Sequence, residues 1–227
     1  MIQARPTGPF GFGWSVHLPA VTRKTSLGLP QYNDAKKSDI RLLSDTEDLM
    51  PALLESKGQW SFDISSRSLY GNQYSVQRYR PRVEGLFARI VRWANISDST
   101  DVFWRTISKD NITTWFGQTA ASRIADPFDP TRIFSWLISE SYDDRGNVTA
   151  YSYKAEDSSG VDLTQANERN RSTLSRSAQR YIKYIYYGNR TPYFPDLTAA
   201  SATPLPTNPL LRPALFYPLT IYNTCCR

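Results

Sequence analysis

The sequence has one histidine, His17, and only two cysteines, Cys225 and Cys226, adjacent at its end. A disulfide framework needs separated cysteines, and the common zinc sites need clustered Cys and His ligands. Both are excluded, and histidine general-base chemistry has a single centre available. No run approaches the ~18 apolar residues of a membrane span. The opening MIQARPTGPFGFGW lacks the apolar core of a secretory signal, so no Sec-type export is expected. Blocks of like charge are also missing. The net charge of +6 comes from 20 Arg and 7 Lys against 21 acidic residues. Such a modest excess suits an anionic partner or a solvated surface equally, and does not by itself indicate nucleic acid. The arginine bias favours planar, bidentate contacts.

Aromatic residues, by contrast, are plentiful. Six Trp and 14 Tyr among 227 residues exclude a disordered chain. The length suits one large domain or two small ones. Period-two patterns rich in aromatic and β-branched residues mark strands at 86–94, 102–107, 112–116, 132–142, 148–154 and 181–187. Polar turns such as Lys109-Asp110-Asn111 separate them. This spacing predicts a mainly β fold, an antiparallel meander of curved sheet. Residues 161–180 are polar with thinly spaced apolar positions, and read as one short helix or a long loop. From Thr191 onward there are seven of the 15 Pro and three charged residues. Proline at that density cannot sit in a central strand or helix interior. The chain therefore divides into a β domain at 1–190 and an extended Pro-rich tail at 191–227, read as the product of a frameshift or a truncated gene.

The motifs that suggest chemistry read better as structure. Gly8-Pro9-Phe10-Gly11-Phe12-Gly13-Trp14 has no preceding strand and no following helix, so it is not a dinucleotide loop. Gly11 and Gly13 instead let backbone pass beside aromatic rings, Trp14 among them. Residues 15–18 read as a strand, and His17 there lacks partners for catalysis. Asp143 and Asp144 precede Arg145-Gly146-Asn147, a hairpin turn between two strong strands. Glu47 and Asp48 are read as a turn in the same way. Arg78, Arg80 and Arg82 share one face of an extended strand. They pair with carboxylates across strands or, less favoured, form a ladder for an anionic partner. Five Asn-x-Ser/Thr sequons, at Asn95, Asn111, Asn147, Asn170 and Asn189, fall in turns. Trp93 and Trp136 are expected to be buried rings, and no cofactor or metal ligand is identified.

Several long stretches then carry a resemblance: GPFGFGWSVHLPAVTRKTSLGLPQY from Gly8, the LLS-x-x-EDLMP run at 42–51, YRPRVEGLFARI at 79–90, SKDNITTWFG at 108–117, RIADPFDPTRIFSWLISESYDDRGNVTAYSY at 123–153 and YGNRTPY at 187–193. In this order they resemble the N-terminal domain of SpvB-type virulence proteins and of the B components of insecticidal toxin complexes. Tyr142-Asp143 with Gly146-Asn147 and Tyr151 is similar to a single Rhs/YD-type repeat.

The resemblance implies a wall segment of a hollow β-shell, a cocoon that encloses and delivers a cytotoxic C-component segment. It implies the C component as shell partner and cargo. Through regions this chain lacks, it also implies the pore-forming A component. Synthesis in the bacterial cytoplasm and extracellular release without an N-terminal signal would follow. No nucleic acid, membrane span or cofactor is implied. Some family members resemble fusions to an actin ADP-ribosylating domain, which needs a Glu-x-Glu pair; this sequence has none, so that activity is not carried over. The alternative is a stand-alone carbohydrate-binding or surface-adhesion module with exposed aromatics. It depends on Trp93, Trp104, Trp115 and Trp136 being accessible. A hydrolase or transferase built on scattered carboxylates lacks an assembled site.

Overall fold

Alternating aromatic and β-branched side chains need an apolar neighbour on each face of their sheet, and this chain provides both by curling the sheet on itself. The computed structural model describes residues 7–8, 11–12, 17–45, 47–85, 87–205 and 212–215. Gly13, Trp14, Ser15, Val16, Cys225 and Cys226 lie outside the described residues. Gly11 lies in a two-residue strand, opposite Gly8. His17 is exposed and Leu18 half-buried, and neither belongs to a strand, contrary to the expectation for 15–18.

Strands β1 (Thr7–Gly8) and β2 (Gly11–Phe12) pair with each other. Strands β3 (Ala20–Arg23), β4 (Arg41–Leu43) and β5 (Glu47–Pro51) run antiparallel in order. A separate hairpin follows, β6 (Leu53–Ser56) with β7 (Gln59–Phe62). Next come β8 (Ile64–Leu69), β9 (Asn72–Pro81), β10 (Arg89–Asn95), β11 (Val102–Ile107) and β12 (Thr113–Phe116), each pairing with the next. The remaining strands are β13 (Arg123–Ala125), β14 (Ile133–Tyr142), β15 (Val148–Ala155), β16 (Arg180–Tyr187) and β17 (Arg212–Leu215). All the strands expected between 86 and 187 are present. Glu47 and Asp48 are corrected: they open strand β5, held by Leu43 and Leu42 of β4 opposite them, rather than forming a turn.

Three contacts between non-consecutive strands make a ring. Strand β5 pairs with β9, β3 with β14, and β14 with β12. The path β12–β11–β10–β9–β5–β4–β3–β14 thus closes as a barrel of eight strands. At that size side chains alone can fill the interior. Strands β15, β16 and β17 continue from β14 as an open sheet. Between β15 and β16, residues 161–180 hold a 3-10 helix at Ala166–Glu168 and one helical turn, α1 (Thr173–Arg176).

Two cores lie on opposite faces of the barrel wall. Val21, Leu49, Tyr79, Ile90, Trp104, Phe116, Trp136 and Ile138 fill the inside. Tyr74, Val76, Val91, Trp93, Phe103 and Trp115 form a second cluster outside. Sequence neighbours are split between them: Phe103 faces out and Trp104 in, Trp115 out and Phe116 in. A bulge adjusts β14, because Phe116 faces Ile138 while Trp115 faces Glu140. The extra residue, Ser139, lets Ile138 point into the barrel and Glu140 point out.

Gly117, just after β12, has φ +67, and a Cβ there would stand 2.3 Å from Trp136 Cδ1. The left-handed backbone and the clash act together. Gly117→Ala is expected to cost about 2–4 kcal/mol in chemical denaturation. An unchanged midpoint would contradict this packing.

Candidate functional site

One end of the barrel is sealed by charge. The 24–40 connection carries a 3-10 helix, Asp34–Lys36, across the mouth. Arg23 of β3, Arg41 of β4 and Arg92 of β10 converge on Asp34. Its carboxylate accepts from Arg23 Nη1 at 2.7 Å, from Arg92 Nη2 at 2.8 Å and from Arg41 Nη2. Asp39 accepts from Arg23 at 2.6 Å and from the backbone N–H groups of Gln31 and Tyr32, both at 2.9 Å. Burial pushes the Asp34 pKa up, but the Arg23 hydrogen bond and the Arg41 and Arg92 charges outweigh it, and hold it at about 2. Every carboxylate oxygen here is occupied, so the cluster is a plug and not a reactive centre.

Asp34→Ala would leave three guanidiniums inside the mouth short of a partner. The expected loss is about 3–5 kcal/mol. In the parent, a depressed carboxylate pKa stabilises the fold above the unfolded value near 3.8 and loses that stabilisation as pH falls towards 2. Thermal melts from pH 5 to pH 2 should show a shallower acid limb in the variant than in the parent, since Asp39 and other carboxylates with lowered pKa values remain.

Glu140 is the second polar feature. It is 8% exposed on the outer face, opposite Trp115. No cation lies within ion-pairing distance of it among the described residues. The Tyr193 hydroxyl lies close enough to its carboxyl to act on it, with Tyr70 and Tyr142 nearby. Burial pushes the Glu140 pKa up to about 7, and the nearby Tyr193 hydroxyl only partly offsets this. Sequence reasoning missed Glu140. Its only signal is an acidic residue inside the strong strand at 132–142.

A raised carboxylate pKa stabilises the fold below the unfolded value, near 4.5, and that stabilisation is lost as pH rises through 7. Glu140→Gln should therefore flatten the stability profile between pH 5 and pH 8. It should be about 3 kcal/mol more stable than the parent at pH 8. The same pH dependence of the unfolding free energy in parent and variant, read from urea titrations across that range, would disprove the assignment.

The residues singled out in the sequence take structural places. Trp93 lies against Phe103, ring centroids 5.9 Å apart, and Trp136 donates to Val102 O at 2.7 Å. Tyr151 packs against the inner core. Asp143 closes its turn by accepting from the backbone N–H of Arg145 at 2.9 Å and of Asn147 at 2.8 Å. Asn147 Nδ2 donates to the other Asp143 oxygen at 2.7 Å. Gly146 has φ +84, and a Cβ there would meet Pro192 Cβ at 2.7 Å. Its carbonyl accepts from Tyr193 N–H at 2.9 Å and Asn189 Nδ2 at 2.8 Å. Tyr142 meets the Tyr193 ring edge to face at 5.7 Å. The Asp143–Asn147 turn is thus the seat on which the 188–205 loop rests.

Arg78 stands 4.0 Å from Asp63 and Arg82 3.9 Å from Asp48, each an exposed arginine beside a half-buried carboxylate of the neighbouring chain segment. The tryptophans Trp93, Trp104, Trp115 and Trp136 are 4%, 0%, 1% and 0% exposed. A sugar-stacking platform cannot use them. Among the described residues no group of three metal-ligating side chains occurs.

The profile described as "Salmonella virulence plasmid 65kDa B protein" (SpvB) matches residues 3–210. The chain belongs to the SpvB family. It is 39% identical over 202 residues to the mono(ADP-ribosyl)transferase SpvB of Salmonella typhimurium (strain 14028s / SGSC 2262), covering 87% of this chain and 32% of that protein. The chain thus spans about a third of the length of its curated SpvB relatives. Among solved structures, the N-terminal domain of the effector SpvB from Salmonella typhimurium strain LT2 is 38% identical with a TM-score of 0.70, covering 82% of this chain and 56% of that domain. The TcdB2–TccC3 structure matches at 28% identity and a TM-score of 0.69, covering 88% of this chain and 9% of that one. The match to SpvB therefore falls on its N-terminal domain.

Proposed function

We propose that this chain is a non-enzymatic wall segment of a toxin-complex shell of the Rhs/YD kind, which helps to enclose a cytotoxic C-component segment for delivery. The observation that carries this reading is the agreement of fold with TcdB2–TccC3 across 88% of the chain. The distribution of polar groups supports it. Among the described residues, the half-buried Asp34 and the buried Glu168 are matched by arginines, and Glu140 is capped by a tyrosine. None faces an open cleft with a nucleophile beside it. A wall must be inert towards its contents and must continue into neighbouring strands. Strands β15 to β17, which leave the barrel as an open sheet, are suited to that continuation.

The test is a graft. Residues 3–210 replace the matching segment of a TcdB2-type subunit, which is then purified with TccC3. The graft should retain the C component, protect the enclosed segment from protease and transfer no ADP-ribose to actin. A folded graft that releases the C component, or that labels actin from NAD, would overturn the reading.

A further inference from the structure

Residues 59–68 are exposed apart from the half-buried Asp63. Strand β7 runs through Asp63 into β8. The Asp63 N–H donates to Ala52 O and its carbonyl accepts from Arg78 N–H, both at 2.9 Å. The two flanking hairpins close with the same geometry. Lys57 and Gly58 have φ of 53° and 78°, and Tyr70 and Gly71 have 49° and 79°, which makes both turns two-residue type I′. In such hairpins the closing pairs Ser56–Gln59 and Leu69–Asn72 exchange hydrogen bonds, and alternation fixes the rest. Trp60, Phe62, Ile64, Ser66 and Ser68 therefore all turn their N–H and C=O groups to the same outer edge. Among the described residues no strand pairs with that edge.

Its two faces differ. Trp60, Phe62 and Ile64 share one face, with Leu53 opposite Phe62, and all four are exposed, Trp60 by 65%. On the other face Arg67 borders a groove of about 730 Å³ floored by Val76 and Val91. Arg78 and Arg89 also line it, with Asp63 and Glu84. Arg78 reaches Asp63 at 4.0 Å, and Glu84 accepts the Phe87 N–H at 2.9 Å. Arg67 and Arg89 have no carboxylate within 4 Å among the described residues. Arg105 of β11 lies close enough to feel both charges.

We infer that this edge accepts an extended strand from a partner polypeptide in which apolar and acidic residues alternate. Backbone hydrogen bonds to the outward groups supply affinity, as in other strand-addition complexes. The apolar residues cover Trp60, Phe62 and Ile64, and the acidic ones face Arg67 and the groove. A second copy of the chain would bring its own Arg67 and leave the positive charge unmatched. The wall reading supplies only the purpose of the added strand; the binding is tested apart from it.

The probe is a short fluorescein-labelled peptide of alternating Val and Glu, titrated with the full chain and read by anisotropy. The parent should bind it, and should bind a Val-Lys peptide about tenfold more weakly or not at all. Ser66→Pro removes one outward N–H and leaves the β9 ladder intact; Arg67→Glu reverses the charge; Trp60→Ser removes the apolar anchor. Each should weaken the Val-Glu peptide about tenfold. Should Ser66→Pro fail to fold, by far-UV circular dichroism, the two exposed side-chain variants carry the test. No binding, or equal binding of the two peptides, overturns the inference. So does a dimer in sedimentation that Ser66→Pro abolishes, since the edge would then belong to a second copy.

Discussion

Strand β14 serves two sheets at once, and most of the architecture follows from that. One of its edges takes β13 and β12; the other takes β3 and then β15. It closes the barrel and also starts the open sheet that leaves it. A ten-residue strand with pairings on both edges cannot slip in register without breaking all four of them. The bulge at Ser139 lets this one strand fill two cores, with Ile138 turned to one and Glu140 to the other. Trp136 anchors the inner side through Val102, and Gly117 exists as glycine because that ring lies against it.

The parts of the fold legible in the sequence were those with apolar side chains on both faces. Runs such as Val102-Phe103-Trp104 and Thr114-Trp115-Phe116 cannot be solvated on either side, so their strands announce themselves. The strands before residue 86 were obscure for a different reason. Their inward positions include Arg23, Arg41 and Gln77, whose burial depends on partners that are distant in sequence. Alternation of hydrophobicity therefore fails there, although alternation of burial holds. The 161–180 stretch is similar. It is organised around Arg176, Glu168 and Glu156, not around an apolar stripe. Tyr193, which covers Glu140, falls in a Pro-rich stretch whose composition does not disclose that it rests on a sheet.

Two ways of burying charge coexist. At Asp34 three arginines more than offset the cost of desolvation, and the carboxylate stays ionised. At Glu140 burial meets only a tyrosine, and the neutral acid is favoured towards neutral pH. The first arrangement fastens a long connection over the barrel mouth. The second fastens the 188–205 loop, whose Tyr193 also binds the Gly146 carbonyl, over the outer core. Both act as clasps for irregular segments that have too little apolar surface to hold themselves in place.

The seam between β3 and β14 has a kinetic consequence. Across it the Thr22 and Ser135 hydroxyls meet at 3.0 Å, although they are 113 positions apart in the chain. Bringing such distant segments together costs loop-closure entropy before any contact repays it. Local hairpins from β8 to β12 have no such cost and can zip early. β-rich topologies with many distant pairings fold on the order of milliseconds to seconds. The ring is thus expected to shut last, and until it does the aromatic lining of the barrel is open to water and to other chains.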